Sequence, residues 1–587
     1  MKREYLAICR QFKYLHCLGV FAALCALPAL AGPSAPEAAT GFNAKAAAER
    51  PHAMIVTATP LSTQAGLSML AQGGSAVDAA IAAQAMLGLT EPQSSGIGGG
   101  AFLVFFDGRR VTTFDGRETA PAAATPDRFL RADGQTMDFY RAVVGGRSVG
   151  VPGVLAMLAM AHRRYGRLPW ATLFQPAIRQ AEQGFPLSPR LYGLLAGERF
   201  LAQDATARRY FYNPDGRPKP IGTLLKNPDY AATLRLIARH GPSAFYQGAL
   251  ARDIVDAVAR APGNPGDMTL ADLRRYRARE RAPVCGDYRD YRLCGMGPPS
   301  SGGVAVLQML GMLQRFPLST LPPQSVDTVH LFSEAGRLAF ADRGQYLADP
   351  GFAPVPVRQL LDPAYLAARS RLIDPQKSLG KALPGSLPGA PQAWGRDNAL
   401  ELPCTSQIVI VDRFGRALSM TTSIEDQFGS RVMVPGRGFL LNNQLTDFSF
   451  NPVEQGRPVA NRVEGGKRPR SSMAPMLVFD GKGKLYAVTG SPGGSVIINY
   501  VAQTLIGLLD WRLDPQQAVS LPHYGSRNGP TELEASRGLD ALAPELAARG
   551  HQVVLTDMTS GLAAIVRAPG GWIGGADPRR EGVAMGN

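Results

Sequence analysis

Apolar residues change their spacing several times along this 587-residue chain, and each spacing predicts a different element. Helical spacing predicts a helix over residues 62–70 and a second, Ala-rich helix to about residue 89, for which Ser75 is the N-cap. Residues 150–275 are rich in helical segments, and a further helix is expected from Val304 to about Gln314. Residues 350–400 are rich in Pro, Gly and Ala, and we expect a loose connector there.

Alternating apolar residues around short turns predict three antiparallel strand pairs. The pairs are 101–106 with 111–114, 406–411 with 417–423, and 476–479 with 484–488. The turn-rich stretch 91–100 leads into the first pair. Because strand pairs alternate with helices along the chain, we predict a layered α+β fold.

The first 31 residues have the layout of a secretory signal peptide. Four basic residues precede an apolar run over 15–27, and Ala29-Leu30-Ala31 is a small-x-small cleavage site. The alternative is a membrane anchor, but the run is shorter than the roughly 20 residues that a spanning helix needs. We therefore expect a periplasmic or secreted protein with no membrane attachment after the signal peptide is removed.

Three cysteines remain after residue 31. A hairpin about Arg289-Asp290 would place Cys285 opposite Cys294, where the close spacing is compatible with a disulfide. Export to an oxidising compartment favours this bond. Cys404 is then left over, and it directly precedes Thr405.

Net charge changes the picture little. The chain carries +15, and the leader contributes +3 from four basic residues and Glu4, so the remainder carries 15 − 3 = +12. Lys and Arg are scattered without a dense run between aromatic residues, so we expect no nucleic-acid partner. The positive charge is compatible with a small anionic substrate.

Several common catalytic motifs are missing from the sequence. It has no His-Glu-x-x-His, no Cys-x-x-Cys and no Gly-x-Ser-x-Gly, so we expect no metal, no other cofactor and no α/β-hydrolase nucleophile. The 91–100 loop precedes a strand and has no Lys, which is unlike a phosphate-binding loop.

Thr405 offers a nucleophile that needs no histidine. It lies where the connector meets a predicted strand, so cleavage before it would free its α-amine. That amine has an ordinary pKa near 8 and can act as base for the hydroxyl of the same residue. Taken alone, a threonine at a strand start indicates only strand propensity.

At this point the sequence resembles the γ-glutamyltranspeptidase family. The resemblance covers residue 51 to the end. It is carried by segments 96–100, 115–121, 298–303, 404–412, 440–449, 467–473, 489–495 and 574–579. It implies an N-terminal-nucleophile hydrolase fold of four αββα layers, formed by a large subunit (32–404) and a small subunit (405–587) that arise by self-cleavage of one chain.

By this resemblance Thr405 cleaves the chain and then carries the acyl group. Ser423 matches the hydroxyl residue that orients the nucleophile, and the backbone N–H groups of Gly493 and Gly494 match the oxyanion hole. Each of these residues also has an ordinary structural reading, as part of a strand or a turn.

The resemblance also implies the donor site. Arg117, Ser471 and Ser472 match the residues that bind the γ-glutamyl carboxylate, and Asp447 with Gln444 beside it matches the partner of the ammonium group. Glu425 stands where many members carry Asn, and it would add a carboxylate near that ammonium.

The segment between Ser449 and Ser471 is shorter than in members with a lid loop, and it has no Tyr to act as a gate. We expect a more open cleft there. This departure leaves open both the acceptor preference and the balance between hydrolysis and transfer.

The expected activity is hydrolysis or transfer of γ-glutamyl groups from glutathione and other γ-glutamyl compounds to water, amino acids or peptides. Two alternatives stay open. One is a glutaryl or cephalosporin acylase with the same fold, and the other is an unprocessed periplasmic γ-glutamyl-binding protein.

Overall fold

A computed structural model describes residues 39, 41–388, 394–397, 399–402 and 404–587. The predicted signal peptide (1–31) lies outside the described residues. Two seven-stranded antiparallel sheets form the centre of the fold. The strand order of the first sheet is Ala48–Arg50, Gly571–Ala576, Ala563–Ala568, Leu485–Gly490, Met476–Phe479, Tyr291–Gly295, Val284–Tyr288. The order of the second is Val583–Gly586, Met54–Thr57, Thr405–Val411, Ala417–Ser423, Gly100–Phe106, Val111–Asp115, Arg279–Arg281.

The Thr405–Val411 strand has buried side chains on both faces. Ile408 and Ile410 belong to a core that the second sheet shares with helices, whereas Val409 and Val411 belong to a core shared with the first sheet. Because successive side chains of a strand point to opposite faces, this strand lies between a helical layer and a second sheet. The two cores therefore define four layers in the order αββα.

Helices cover the outer face of each sheet. Helices with residues in the core on the second sheet are Pro60–Ala71, Ala76–Thr90, Val154–Tyr165, Gln175–Gln183, Pro189–Gly197, Ala205–Phe211, Pro228–His240, Ser243–Tyr246, Gly248–Ala259 and Leu270–Arg275. Those in the core on the first sheet are Gly302–Leu313, Val326–Tyr346, Ile497–Leu509, Pro515–Ser520 and Ala543–Ala548.

The remaining elements are short. The other α-helices are Phe139–Val143, Val357–Leu360 and Pro363–Ser370. The 3-10 helices are Gly146–Ser148, Trp170–Phe174, Leu201–Gln203, Leu318–Thr320, Gln444–Asp447, Gly494–Val496 and Asp540–Leu542. Small sheets pair Phe185–Pro186 with Leu224–Leu225, Val453–Glu454 with Arg457–Pro458, and Tyr524–Ser526 with Thr531–Glu534 and Val553–Thr556.

The three predicted strand pairs and the layered α+β fold are confirmed. The second helix begins directly after Ser75, whose hydroxyl accepts from the Asp78 N–H while the Asp78 carboxylate accepts from the Ser75 N–H. This reciprocal capping box is the reason that the helix starts there. The first helix starts two residues earlier than predicted, at Pro60, because Thr59 is its N-cap.

The predicted connector is more ordered than its composition indicated. It contains the helices Val357–Leu360 and Pro363–Ser370, the second of which Asp362 caps. The predicted disulfide between Cys285 and Cys294 is confirmed: the two residues are register partners of the hairpin, with a Cα–Cα distance of 4.1 Å. Within the described part of the chain, no helix has both the length and the apolar character needed to cross a bilayer.

Candidate active site

Thr405 is the first residue of its strand and pairs with Ser423, the last residue of the neighbouring strand. Both side chains are 4% exposed. The strand pairing thus brings the two predicted hydroxyl residues together at one end of the second sheet.

The Ser423 hydroxyl connects Thr405 to the bond that precedes it. Thr405 Oγ1 donates to Ser423 Oγ at 3.2 Å, and Ser423 Oγ donates to the Cys404 carbonyl oxygen at 2.6 Å. The Glu425 N–H also donates to Ser423 Oγ, at 2.9 Å. Ser423 therefore donates a hydrogen bond to the Cys404 carbonyl, which it polarises, and accepts a hydrogen bond from the Thr405 hydroxyl.

The 91–100 loop supports this end of the sheet. The Cys404 thiol, which is buried, donates to the Gln93 carbonyl at 3.3 Å, and the Ile424 N–H donates to the Ser94 carbonyl at 3.1 Å. Gly99 lies so close to Ser423 that a Cβ atom at Gly99 would be 2.1 Å from the Ser423 carbonyl oxygen. Only glycine permits this approach of the two backbones.

Arg117 and Asp447 form a buried ion pair with each other. Arg117 also donates to the carbonyl oxygens of Pro469 at 3.1 Å and Arg470 at 2.9 Å. Burial, together with repulsion from Glu401, raises the pKa of Asp447 to about 6, although Arg117 acts in the opposite direction. Arg117 was predicted to bind the carboxylate of the donor and Asp447 its ammonium group. In this structure the two side chains pair with each other instead.

Two side-chain acceptor atoms of the residues that line this cavity have no hydrogen-bond donor among the described residues. They are Asp447 Oδ1 and Gln444 Oε1, and both are buried. Gln444 Nε2 donates to the other carboxylate oxygen of Asp447 at 2.8 Å, which holds the two side chains together. A pair of unsatisfied buried acceptors is costly, and a donor group such as an ammonium ion would satisfy both.

Glu425 is buried at the wall of the same cavity. It accepts hydrogen bonds from the Leu402 N–H at 3.1 Å and from the Asn443 amide. Burial, followed by the negative charges of Asp447 and Asp426, raises the pKa of Glu425 well above its ordinary range. Glu425 therefore retains its proton at a pH where an exposed glutamate is ionised.

Ser471 and Ser472 line the site, and Ser471 contacts Ser301, which directly precedes the Gly302–Leu313 helix. The Ser471 carbonyl accepts from both the N–H and the hydroxyl of Ser301, at 2.7 and 2.6 Å. Ser472 Oγ accepts from Arg343 at 2.7 Å and donates to the carboxylate of Glu401. Backbone contacts fix Ser471, whereas the Ser472 hydroxyl is part of a charged network.

Gly493 and Gly494 begin the turn into the Ile497–Leu509 helix with φ angles of 136° and 55°. A Cβ atom at Gly494 would be 2.7 Å from the carbonyl oxygens of both Glu401 and Leu402. The backbone just before the Cys404–Thr405 bond is therefore packed against Gly494.

Glu401 and Leu402, which precede Thr405 in the chain, occupy part of the candidate site. The cavity left there is about 20 Å³, which holds on the order of one water molecule. Its lining residues are Arg117, Glu401, Leu402, Thr405, Ser423, Glu425, Gln444, Asp447, Ser471, Ser472, Met473, Gly494 and Ile497. This volume is smaller than a γ-glutamyl group.

The structure thus brings together nine of the ten predicted site residues around one cavity, and the tenth, Gly493, is adjacent to the lining residue Gly494. Glu401 and Arg343 were not predicted from the sequence, and Arg470 was included only within the 467–473 segment. Charged residues near a predicted nucleophile were the only available signal, and Glu401 lies four positions before Thr405. Arg343 is distant in sequence and carried no signal.

Among the described residues that line this cavity there is no histidine. Within the described residues, one group has the composition of a metal site: His330, Glu334 and His551. The two imidazoles are hydrogen-bonded to each other at 2.7 Å, and Arg337 donates to Glu334 at 2.9 Å and to His551 at 3.3 Å. Since a guanidinium already neutralises the carboxylate, this group is a buried hydrogen-bonded network.

Comparisons with known proteins agree with the geometry. The family model described as Gamma-glutamyltranspeptidase matches residues 62–587. The glutathione hydrolase proenzyme of Bacillus subtilis (strain 168) is 36% identical over 545 residues, which is 91% of each chain. The acylase ACY 1 proenzyme of Pseudomonas sp. (strain SE83) is 37% identical over 535 residues, covering 89% of this chain and 91% of the relative.

A solved structure has a similar fold. The cephalosporin acylase from Bacillus halodurans superposes with a TM-score of 0.82 at 28% identity, and the match covers 94% of this chain and 99% of that one.

Proposed function

The chain belongs to the γ-glutamyltranspeptidase family and has the N-terminal-nucleophile hydrolase fold, and on this premise we propose that it is a self-cleaving γ-glutamyl hydrolase and transferase. The observation that carries the proposal is the hydrogen-bond chain from the Thr405 hydroxyl through Ser423 to the carbonyl of the Cys404–Thr405 bond. In the proposed enzyme residues 1–31 are a signal peptide, residues 32–404 form the large subunit and residues 405–587 the small subunit. The mature enzyme is periplasmic or secreted.

Self-cleavage starts with attack of Thr405 Oγ1 on the Cys404 carbonyl carbon. Ser423 accepts the Thr405 proton and donates its own proton to the carbonyl oxygen, so no charge has to be created in this buried site. When the intermediate collapses, the C–N bond breaks, the hydroxyl proton of the intermediate passes to the departing nitrogen, and Cys404 remains as an ester on Thr405 Oγ1. Water then hydrolyses the ester, which yields a carboxylate at Cys404 and a free α-amine at Thr405.

The freed amine makes Thr405 the nucleophile for the donor. It takes the proton from Oγ1 as the hydroxyl attacks the γ-carbonyl, and the N–H groups of Gly493 and Gly494 stabilise the oxyanion. The amine of the leaving group departs with a proton, and a γ-glutamyl ester remains on Thr405. Water or the amine of an amino acid or peptide then accepts the γ-glutamyl group.

The polar residues around the cavity match a γ-glutamyl donor. Asp447 Oδ1 and Gln444 Oε1 are acceptors without a donor among the described residues, as the α-ammonium requires, and Arg117, Ser471 and Ser472 take the α-carboxylate. Glutathione and other γ-glutamyl amides are the proposed donors. No cofactor is needed for any of these steps.

A second candidate activity is that of a glutaryl or cephalosporin acylase, because the acylase ACY 1 relative is as similar as the glutathione hydrolase relative. A glutaryl group has the carboxylate but lacks the ammonium, so it would leave both unsatisfied acceptors without a partner. The buried acceptors therefore favour the γ-glutamyl donor. The small cavity of the uncleaved chain speaks against an unprocessed γ-glutamyl-binding protein.

The test combines mass spectrometry with two donors. The wild-type protein should yield a fragment that begins at Thr405, whereas Thr405→Ala should remain one chain and Ser423→Ala should cleave at least tenfold more slowly. The cleaved enzyme should hydrolyse γ-glutamyl-p-nitroanilide with a kcat/KM at least tenfold above that for glutaryl-p-nitroanilide. A cleaved Thr405→Ala chain would refute the nucleophile, and the opposite donor preference would favour the acylase.

A further inference from the structure

Two buried arginines at the candidate site have no role in the reaction described above. Arg343 lies near the end of the Val326–Tyr346 helix and Arg470 directly precedes Ser471; they are 5% and 1% exposed. Arg343 donates to Ser301 Oγ at 2.8 Å and to Ser472 Oγ at 2.7 Å. Through the second contact its guanidinium reaches Ser472, a residue that lines the cavity.

The carboxylate that these arginines share is Glu401. Arg343 forms an ion pair with it, Arg470 Nη2 lies 3.4 Å from Glu401 Oε1, and the Ser472 hydroxyl donates to Glu401 Oε2. Burial raises the pKa of Glu401, but the charges of Arg343 and Arg470 outweigh it and the pKa is lowered. Two guanidiniums and a hydroxyl thus form a complete binding site for one ionised carboxylate.

Both acidic residues that pair with these arginines precede the proposed cleavage point in the sequence. Besides Glu401, Arg470 pairs with Asp397 at 2.9 Å, and both acids precede Cys404 in the chain. If Asp397 and Glu401 withdraw after cleavage, the two guanidiniums are left buried without these counter-ions, which is unfavourable. Arg470 Nε is buried and has no acceptor among the described residues even before cleavage. The vacated space therefore needs an anion.

We propose that Arg343 and Arg470, together with the Ser472 hydroxyl, bind the free carboxylate of the acyl donor in the place that the Glu401 carboxylate occupies before cleavage. The proposal rests on the self-cleavage proposed above. It holds for any donor with a carboxylate at the far end of its acyl chain, so it applies to γ-glutamyl and glutaryl groups alike. Arg343 and Arg470 are then specificity-determining residues that act alongside Arg117.

The experiment compares two donors on the cleaved enzyme. One is γ-glutamyl-p-nitroanilide, and the other is the same anilide with its α-carboxylate converted to a carboxamide. Arg470→Leu should raise KM for the first donor on the order of 10- to 100-fold, which is the usual contribution of a charge-assisted hydrogen bond, with little change in kcat. KM for the carboxamide donor should change by less than threefold, and Arg470→Lys should restore part of the loss.

Arg462→Leu is the matched control, because Arg462 lies in the same segment and pairs with Glu464 outside the cavity. A cleaved Arg470→Leu enzyme that distinguishes the two donors as the wild type does would overturn the inference. That outcome is distinct from failure of the proposed function, in which the wild-type chain neither cleaves nor hydrolyses any donor.

A binding measurement covers the case in which the arginine variant does not cleave. In the uncleavable Thr405→Ala chain, the additional change Glu401→Ala vacates the carboxylate position. Acetate at constant ionic strength should then raise the midpoint of thermal unfolding by several degrees more than it does with Glu401 present, and Arg470→Leu should abolish the difference. An equal effect of acetate with and without Glu401 would contradict the proposed carboxylate site.

Discussion

A single carboxyl group shows how burial sets chemistry at the scale of one residue. Glu425 is surrounded by Asp447 and Asp426, and its hydrogen bonds come from the Asn443 amide and the Leu402 N–H. Burial and these two carboxylates raise the pKa of Glu425 well above its ordinary range. The residue that stands in place of Asn is therefore a carboxyl group that holds its proton to a higher pH than an exposed glutamate does.

Glu425 should make stability depend on pH. Above about pH 4.5 the unfolded chain releases this proton while the folded chain keeps it, so the stability of the fold falls as pH rises towards the folded pKa. In the uncleavable Thr405→Ala chain the slope from this group is at most about 1.4 kcal/mol per pH unit. Glu425→Gln should flatten it, as measured by denaturant unfolding from pH 5 to pH 8. Parallel pH profiles for the two chains would contradict the assignment.

At the scale of elements, the site depends on how the 91–100 loop meets the ends of two strands. This loop receives backbone hydrogen bonds from Ile424 and Phe428 and accepts from the Cys404 thiol. The loop therefore fixes residues on both sides of the Thr405–Ser423 pair. Its glycines allow the backbone of the loop to pack closely against the strand ends. The loop therefore resembles a phosphate-binding loop only in its glycine content.

Gly99→Ala should disturb this junction. The new Cβ atom would be 2.1 Å from the Ser423 carbonyl oxygen and 2.8 Å from the Ile424 side chain, so the backbone of Ser423 must move. We expect a loss of about 1–3 kcal/mol in stability, as for other overpacked sites, and self-cleavage at least tenfold slower. Thermal unfolding and a gel time course measure the two effects.

Gly193→Ala provides the control for this prediction. Gly193 lies in the Pro189–Gly197 helix with no atom within 4 Å of the added Cβ atom, and alanine is the better helix former. This variant should be slightly more stable and should cleave normally. Normal cleavage by Gly99→Ala would show that the loop does not position Ser423.

At the scale of the whole molecule, the segments before and after the Cys404–Thr405 bond are interleaved in both sheets. Five strand ladders of the described residues join a strand before residue 404 to a strand after it. In the second sheet, Met54–Thr57 lies between Val583–Gly586 and Thr405–Val411, and Ala417–Ser423 pairs with Gly100–Phe106. Cleavage of one peptide bond leaves all these ladders in place.

The two subunits should therefore remain one particle after cleavage. We expect them to elute together in size-exclusion chromatography and to unfold in a single thermal transition, because each subunit alone would expose unpaired strands and half of a hydrophobic core. They should separate in 6 M guanidinium chloride, a concentration of the order that unfolds very stable proteins. Separation under native conditions would contradict this prediction.

Local features could be predicted from the sequence because neighbouring residues determine them. The Ser75 capping box, the turns of the three strand pairs and the Cys285–Cys294 pairing all depend on residues within about a dozen positions. The resemblance added the ten site residues, which the fold gathers at one cavity. The Val326–Tyr346 helix was not predicted, since 18 of its 21 residues are buried and no polar face marks its period.

The sequence by itself therefore determined the hairpins, the helix starts and the position of Thr405 at the beginning of a strand. Only the tertiary structure decided which charges meet: Arg117 with Asp447, and Arg343 and Arg470 with Glu401. These pairs join residues up to 330 positions apart. The cost of burying a charge selects such partners, and that cost exists only once the layers have packed and excluded water.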